Sequence, residues 1–281
     1  MSHLISATDF ISVQNNSSYK IFDATFLLPN MNRNAKDEFS ACHIPHAQFF
    51  DIDAIADNTS QLPHMVPTAE AFSEMMQDLG MNNDDKIILY DNSPFLSSAR
   101  AWWLLRLFGK DNVFVLDGGL TAYKFAGGQL SDGDVRQIEK GDFRSSEAMA
   151  QVITFDDLRD RIASDDNLQI LDARPTARFN GTVPEPREGL RSGHMPGAIN
   201  VPVTDLIEKD TNLLLEPDKL KAIFDEAGLD FDLPAITSCG SGVTAAGLTL
   251  ALAELGKYDI ALYDGSWAEW GASDAPITCL S

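Results

Sequence analysis

The sequence predicts a duplicated α/β protein, each half a mostly parallel sheet with helices on both faces. Three observations carry that expectation. Short apolar runs rich in β-branched residues alternate with helix-forming stretches, a pattern that builds parallel sheets covered on both sides. Landmarks of the first half recur in the second at a nearly constant offset, the signature of internal repetition. With 281 residues, 44% of them hydrophobic, the chain is large enough for two cores of ordinary size.

Taken in order, Ser6-Ala7-Thr8-Asp9-Phe10 opens a short helix, and Lys20-Ile21-Phe22-Asp23-Ala24-Thr25 reads as a buried strand. A histidine-proline segment from His43 to Asp53 follows, then a helix over 68–79 and a strand over 86–90. That strand meets Asp91-Asn92-Ser93-Pro94, where Phe95 and Leu96 read as packing residues. A helix with large side chains over 99–108 ends at Gly109, and Val113-Phe114-Val115-Leu116-Asp117-Gly118-Gly119 reads as strand and turn. In the second half Asp172 answers Asp23 at an offset of 149, His194 answers His43 at 151, and Asp264 answers Asp117 at 147. The polar run over 131–149 reads as the connection, giving a first repeat at 1–135, a linker at 136–150 and a second repeat at 151–281.

The repeat is asymmetric in chemistry. Cys239 falls opposite Asp91, at an offset of 148, so the first repeat lacks a nucleophile at that place. One half is expected to do chemistry and the other to support it. Cys239 lies in Ser238-Cys239-Gly240-Ser241-Gly242-Val243-Thr244-Ala245, between an apolar strand-like run over 233–237 and a helix-forming run over 246–255 closed by Gly256. Gly240 and Gly242 let the backbone curl into a nest of N–H groups, and the helix adds its positive end. Lowering a cysteine pKa from about 8.5 to about 6.5 takes roughly 2.7 kcal/mol. A helix terminus contributes about 0.3–1 kcal/mol, so the amides must supply the rest. A buried, inert thiol is the competing reading. The glycine-bearing turn favours a reactive thiolate.

Composition limits the partners. Forty-two acidic against 21 basic residues give a net charge of −21, which repels nucleic acid and anionic membrane. A small anionic substrate needs a local cationic pocket for the same reason. Cys42, Cys239 and Cys279 form no CxxC pair, and their odd number argues against a disulfide framework. The first residues carry neither a basic nor a long apolar leader region, and no run has the length of a membrane span, so a soluble, cytoplasmic protein is expected. No histidine or cysteine cluster has metal-ligand spacing and no phosphate-binding glycine pattern appears, so neither metal nor cofactor is expected. His43, His46 and His194 read as structural, His3 as part of a mobile terminus, and Cys279 has no assignable role.

These residues resemble the two-domain rhodanese family, and within it the 3-mercaptopyruvate sulfurtransferases, over essentially the whole chain. Cys239-Gly240-Ser241-Gly242-Val243-Thr244 is similar to that group's active loop. Thiosulfate sulfurtransferases carry basic residues where Gly240 and Ser241 stand here. Asp172-Ala173-Arg174, the stretch 193–198 and Asp264-Gly265-Ser266-Trp267 resemble general fold markers. The stretch 178–187 is similar to the family's substrate arm, which implies that Arg178 and Arg187 grip the donor's carboxylate and carbonyl oxygens. A guanidinium suits that task because it binds a carboxylate through two parallel hydrogen bonds. Two surface arginines on a polar loop are the alternative. The resemblance also implies a relay of Asp53, His64 and Ser241, an arrangement suited to moving protons. Against it stand a helix-capping Asp53 and a plain loop His64.

The expected reaction is transfer of sulfur from 3-mercaptopyruvate to Cys239 as a persulfide, with release of pyruvate. The loop, through Gly240, Gly242, Val243 and Thr244, holds the substrate end and the outer sulfur until a thiol such as thioredoxin, or cyanide, takes it. Thiosulfate as donor on the same scaffold, or a non-catalytic binding or sensing module, are the alternatives. A cysteine phosphatase needs an arginine six places after the cysteine, where Ala245 stands.

Overall fold

In a computed structural model of the chain, which describes residues 2–133, 138–164 and 167–279, the two halves have the same topology. Strands β1 (Leu4–Ile5), β2 (Tyr19–Asp23), β3 (Gln48–Phe49), β4 (Lys86–Tyr90) and β5 (Val113–Leu116) pair in the order β1-β5-β4-β2-β3. Strands β6 (Gln151–Ile153), β7 (Gln169–Asp172), β8 (Ala198–Asn200), β9 (Ala235–Ser238) and β10 (Ile260–Tyr263) pair as β6-β10-β9-β7-β8. Every pairing between these strands is parallel.

Register makes the equivalence residue by residue. Asp23 pairs with Tyr90 in the first sheet and Asp172 with Ser238 in the second. Asp91 and Cys239, each one residue further on, therefore occupy the same place. Secondary features repeat too. His43 Nδ1 lies 2.7 Å from the Phe39 carbonyl and His194 Nδ1 lies 2.8 Å from that of Phe179, each ring stacked on the phenylalanine. The structural role expected for these two histidines is what holds their segments.

Helices form where the caps and patterns lie. Ser6 Oγ accepts from Asp9 N at the start of α1 (Ala7–Val13). After α2 (Ala35–Ala41), Thr68 Oγ1 accepts from Ala71 N at the start of α3 (Ala69–Asp78). The helix α4 (Ser98–Leu107) is buried along most of its length. Two helices of the first half escape the sequence reading: α2, and α5 (Gly119–Phe125), where Gly118 and Gly119 look like a terminal turn but adopt φ of 72° and 54° and open a helix. The second half adds α6 (Phe155–Ser164), α7 (Thr176–Phe179), α8 (Pro217–Glu226), α9 (Val243–Glu254) and α10 (Ser266–Trp270), of which the sequence reading names only α9.

The halves share one core. Helix α4 packs on α9, and a single apolar cluster runs from Phe22 and Trp103 through Leu248 to Leu262. Every residue of α9 from Ala245 to Ala253 is buried, as expected of a helix apolar on all faces. No helix among the described residues is long and apolar enough to cross a membrane. The stretch expected to link the repeats is tied to the first half: Gly141 N donates to Gln77 O, Phe143 N to Met81 O, and Ser146 N to Phe108 O. The phenyl ring of Phe143 is buried there. The boundary expected at 135/136 lies outside the described residues.

The N-terminus departs from expectation. His3 is anchored rather than mobile: its N–H donates to Glu254 Oε1 at 2.6 Å, and its ring lies edge-on to Trp102 at 5.1 Å and Tyr258 at 6.1 Å. Burial, and then the nearby Arg106 charge, push the imidazole pKa down to about 4. The unfolded chain takes up this proton near pH 6.5, before the folded one does. The stability carried by neutral His3 is therefore complete above about pH 6.5 and is lost as pH falls towards 4. An NMR titration of the His3 ring is expected to show a midpoint near 4; a midpoint near 6.5 would refute the packing.

Candidate active site

Cys239 leaves the C-terminal end of β9 and turns directly into α9. Gly242 makes the turn possible, with φ 79° in the left-handed region. A Cβ there would sit 3.0 Å from both Arg100 Nη1 and Asp264 Oδ1, so a side chain would crowd that ion pair as well as strain the backbone. The loop is braced from below by Ser266. Its Oγ accepts from Cys239 N at 3.2 Å and Gly242 N at 3.1 Å while donating to Tyr263 O at 2.8 Å. Two loop carbonyls are also tied to α10, Cys239 O by Trp267 N and Gly240 O by Ala268 N.

The remaining loop amides stay open. The N–H groups of Gly240, Ser241, Val243 and Thr244 have no acceptor among the described residues. The first domain shows what such a place accommodates. There Asp91 Oδ1 accepts from Ser93 N at 2.9 Å, and Oδ2 accepts from Ser98 N, the first residue of α4, at 2.8 Å. A built-in carboxylate satisfies that helix N-terminus, whereas the second domain has a sulfur and no internal anion at the equivalent place. The open amides favour negative charge there.

Cys239 is 2% exposed and belongs to the shared core cluster. Gly240 beside it is half-buried, and the two arginines of the 178–187 arm lie close to it. A Cβ at Gly240 would stand 3.3 Å from Arg178 Nη2 and 3.8 Å from Arg187 Nη1. Both guanidinium groups thus reach the cysteine loop while remaining partly exposed. Glu185 fixes Arg178, accepting from its Nε at 3.2 Å and its Nη2 at 2.5 Å.

The three relay residues meet across the domain boundary. His64 Nδ1 is 3.0 Å from Ser241 Oγ, and His64 Nε2 is 2.8 Å from Asp53 Oδ1. That hydrogen bond from His64 holds the Asp53 carboxyl below the usual range, against the opposing effect of burial. With an ionised Asp53 at Nε2, the neutral ring carries its proton there and leaves Nδ1 to accept from the Ser241 hydroxyl. His64 is held by its own backbone, with φ 60°, and by Phe26, whose ring stands edge-on at 5.0 Å. Asp53 caps no helix; the nearby amides of Asp53 and Ala54 are taken by Asp51 Oδ1.

The expected site residues therefore converge: Cys239, Ser241, His64, Asp53, Arg178, Arg187 and the loop positions Gly240, Gly242, Val243 and Thr244. The Val243 side chain is buried in the core, which leaves only its main-chain N–H at the loop. Four residues around the site escaped the sequence reading. Arg100 on α4, 1% exposed, donates Nη2 to His64 O at 2.5 Å and pairs with Asp264 at 2.8 Å. Asp264 also accepts from Val66 N at 2.6 Å, so the pair ties the His64 loop to the cysteine loop. Ser266 stood in a stretch read only as a fold marker, and Glu185 lay unremarked between two prolines. A charged residue inside the apolar run Ala99–Leu105 was the available signal for Arg100, because a buried guanidinium requires a partner.

The rhodanese-like domain family matches residues 6–126 and again 154–273. The chain is 46% identical to the 3-mercaptopyruvate sulfurtransferase of Escherichia coli (strain K12) over 261 residues, covering 92% of this chain and 91% of that one. It is 40% identical to the 3-mercaptopyruvate sulfurtransferase of Homo sapiens, covering 93% and 88%. Among solved structures, the Escherichia coli 3-mercaptopyruvate sulfurtransferase SseA superimposes with a TM-score of 0.86 at 40% identity, over 96% of this chain and all of that one. With two matched domains of one topology and relatives similar along nearly their whole length, the chain belongs to the rhodanese family, in the two-domain form of the 3-mercaptopyruvate sulfurtransferases.

Proposed function

We propose that the chain transfers sulfur from 3-mercaptopyruvate to an acceptor through a persulfide on Cys239. The observation that carries this reading is the approach of Arg178 and Arg187 to Gly240, which puts two guanidinium groups beside the cysteine loop. They bind the donor's carboxylate and carbonyl oxygens and bring its sulfur to Cys239. The Cys239 thiolate attacks that sulfur. A sulfur–sulfur bond forms, the carbon–sulfur bond breaks, and its electron pair becomes the enolate of pyruvate, stabilised by the same cations. The enolate takes up a proton and leaves as pyruvate. The open loop amides hold the outer sulfur until a thiol, such as that of a thioredoxin, or cyanide removes it. Three unpaired cysteines suit the reducing cytoplasm as the setting.

The relay assigns the proton step. As the sulfur is attacked, Ser241 passes the donor's thiol proton to His64 Nδ1, and the imidazolium pairs with Asp53. The same hydroxyl returns the proton to the leaving enolate, so the relay ends as it began. Ser241→Ala is expected to lower kcat by about 10²-fold, the usual size of a lost acid–base contribution, while Cys239 still accepts sulfur. Asp53→Asn is expected to have a smaller effect in the same direction. Unchanged kcat in Ser241→Ala would remove the relay from the mechanism.

Donor choice follows from the loop. Gly240 and Ser241 bring no cation to the sulfur, so a sulfonate-type dianion is poorly compensated. Steady-state turnover is expected to be faster with 3-mercaptopyruvate than with thiosulfate, using cyanide as acceptor. Equal or faster turnover with thiosulfate would overturn the donor assignment.

A further inference from the structure

We infer that Glu185 sets the charge of the donor site and thereby restricts it to monoanions. This rests on the proposed function and extends it to a residue between the two arginines. The Glu185 side chain is 1% exposed and lies between two cations, accepting from Arg174 Nη1 at 2.9 Å and from both Nε and Nη2 of Arg178. Arg174 is already committed to Asp172, with Nη2 2.6 Å from Oδ2, and its guanidinium lies 4.2 Å over the Trp267 ring.

Three guanidinium groups, those of Arg174, Arg178 and Arg187, thus face two carboxylates, those of Asp172 and Glu185. Arg187 pairs with no carboxylate among the described residues, although the Asp53 carboxyl senses its charge. At most one positive charge is left uncompensated at the loop. A donor bearing one carboxylate cancels it. A dianion brings a second charge that only the loop amides, already facing the Cys239 thiolate, are there to meet, in a partly buried place where an uncompensated charge is disfavoured. The family-like loop lacks basic residues, but the arm beside it holds two and Arg174 adds a third, and Glu185 keeps their sum low. Without this carboxylate the arm would carry an additional positive charge and accept dianions.

The test compares pyruvate with oxalate, planar anions of nearly equal size carrying one and two negative charges. Each is titrated as a competitor of Cys239 persulfide formation from 3-mercaptopyruvate in a single turnover. The wild-type protein is expected to bind pyruvate about tenfold more tightly than oxalate, the scale of one extra charge at a screened site. In Glu185→Gln the ratio is expected to move about tenfold towards oxalate, and thiosulfate turnover to rise relative to 3-mercaptopyruvate. Glu185→Asp keeps the charge and is expected to keep the wild-type ratio even if both ligands weaken. A residue that merely props up Arg178 would weaken both ligands alike in Glu185→Gln, and an unmoved ratio overturns the inference. If Glu185→Gln does not fold, tighter binding of oxalate than pyruvate by the wild type, or an altered ratio in Glu185→Asp, overturns it instead. Absence of wild-type turnover with 3-mercaptopyruvate would defeat the proposed function. Intact turnover with an unmoved ratio defeats the role of Glu185 alone.

Discussion

Replacing Cys239 by serine is expected to abolish sulfur transfer, lowering kcat by about 10⁴-fold or more, the scale reached when a covalent nucleophile is removed. A hydroxyl at this position is neither anionic at neutral pH nor able to form a persulfide. The fold should be unaffected. Cys239 N and O are bonded to Ser266 and Trp267 through the main chain, and no side-chain hydrogen bond of the thiol is lost. Cys239→Ser is therefore expected to retain wild-type thermal stability and pyruvate binding. Residual turnover within about tenfold of wild type would put the chemistry on another group, with Cys42 and Cys279 as the remaining thiols.

Removing the Arg100 guanidinium is expected to produce the largest loss of stability. Arg100 and Asp264 are almost fully buried, and their 2.8 Å ion pair joins the first domain to the second. The pair is set off-line for a hydrogen bond, so it holds by charge more than by directional bonding. Arg100→Ala leaves Asp264 buried beside Val66 N with no counter-charge. Breaking such a pair costs about 3–5 kcal/mol, or about 10 °C in Tm for a protein of this size. The same substitution frees the carbonyls of His64 and Gly242, which Arg100 holds in common, so kcat is expected to fall as well. The double variant Arg100→Met with Asp264→Leu separates the two effects. Removing both charges is expected to recover part of the stability, whereas the relay geometry and turnover stay impaired. An unchanged Tm in Arg100→Ala would mean that the domains are held by the α4–α9 contact alone.

Much of this arrangement was legible in the residues. The offset repeat from Asp23, His43, Asp91 and Asp117 reappears as matching strand register and matching histidine–phenylalanine stacks. Gly240 and Gly242 marked a curled loop because their chemistry is local. Arg178 and Arg187 were recognised through the resemblance of the stretch 178–187 to the family's substrate arm. Residues whose roles depend on distant partners were not legible. Arg100 meets Asp264 across 164 positions of sequence, and nothing near either residue announces the other. Ser266 braces the loop from the next strand's end, with φ 49° that few side chains adopt, and local propensity contains no trace of that. Asp91 was read as an absent nucleophile. Its carboxylate in fact fills the first domain's own loop, the same need for negative charge met from within. His3 was misjudged because terminal position is a poor guide where a carboxylate such as Glu254 awaits the first amides.

Intact-protein and peptide mass spectrometry after incubation with 3-mercaptopyruvate, with no acceptor present, puts the chemistry to its most direct test. Sulfur passing through the curled loop should leave the peptide containing Cys239 heavier by one sulfur atom, with one pyruvate released per added sulfur, and the gain should vanish on addition of cyanide. Pyruvate released while Cys239 stays unmodified, or the added sulfur found on Cys42 or Cys279, would contradict a persulfide held at the N-terminus of α9.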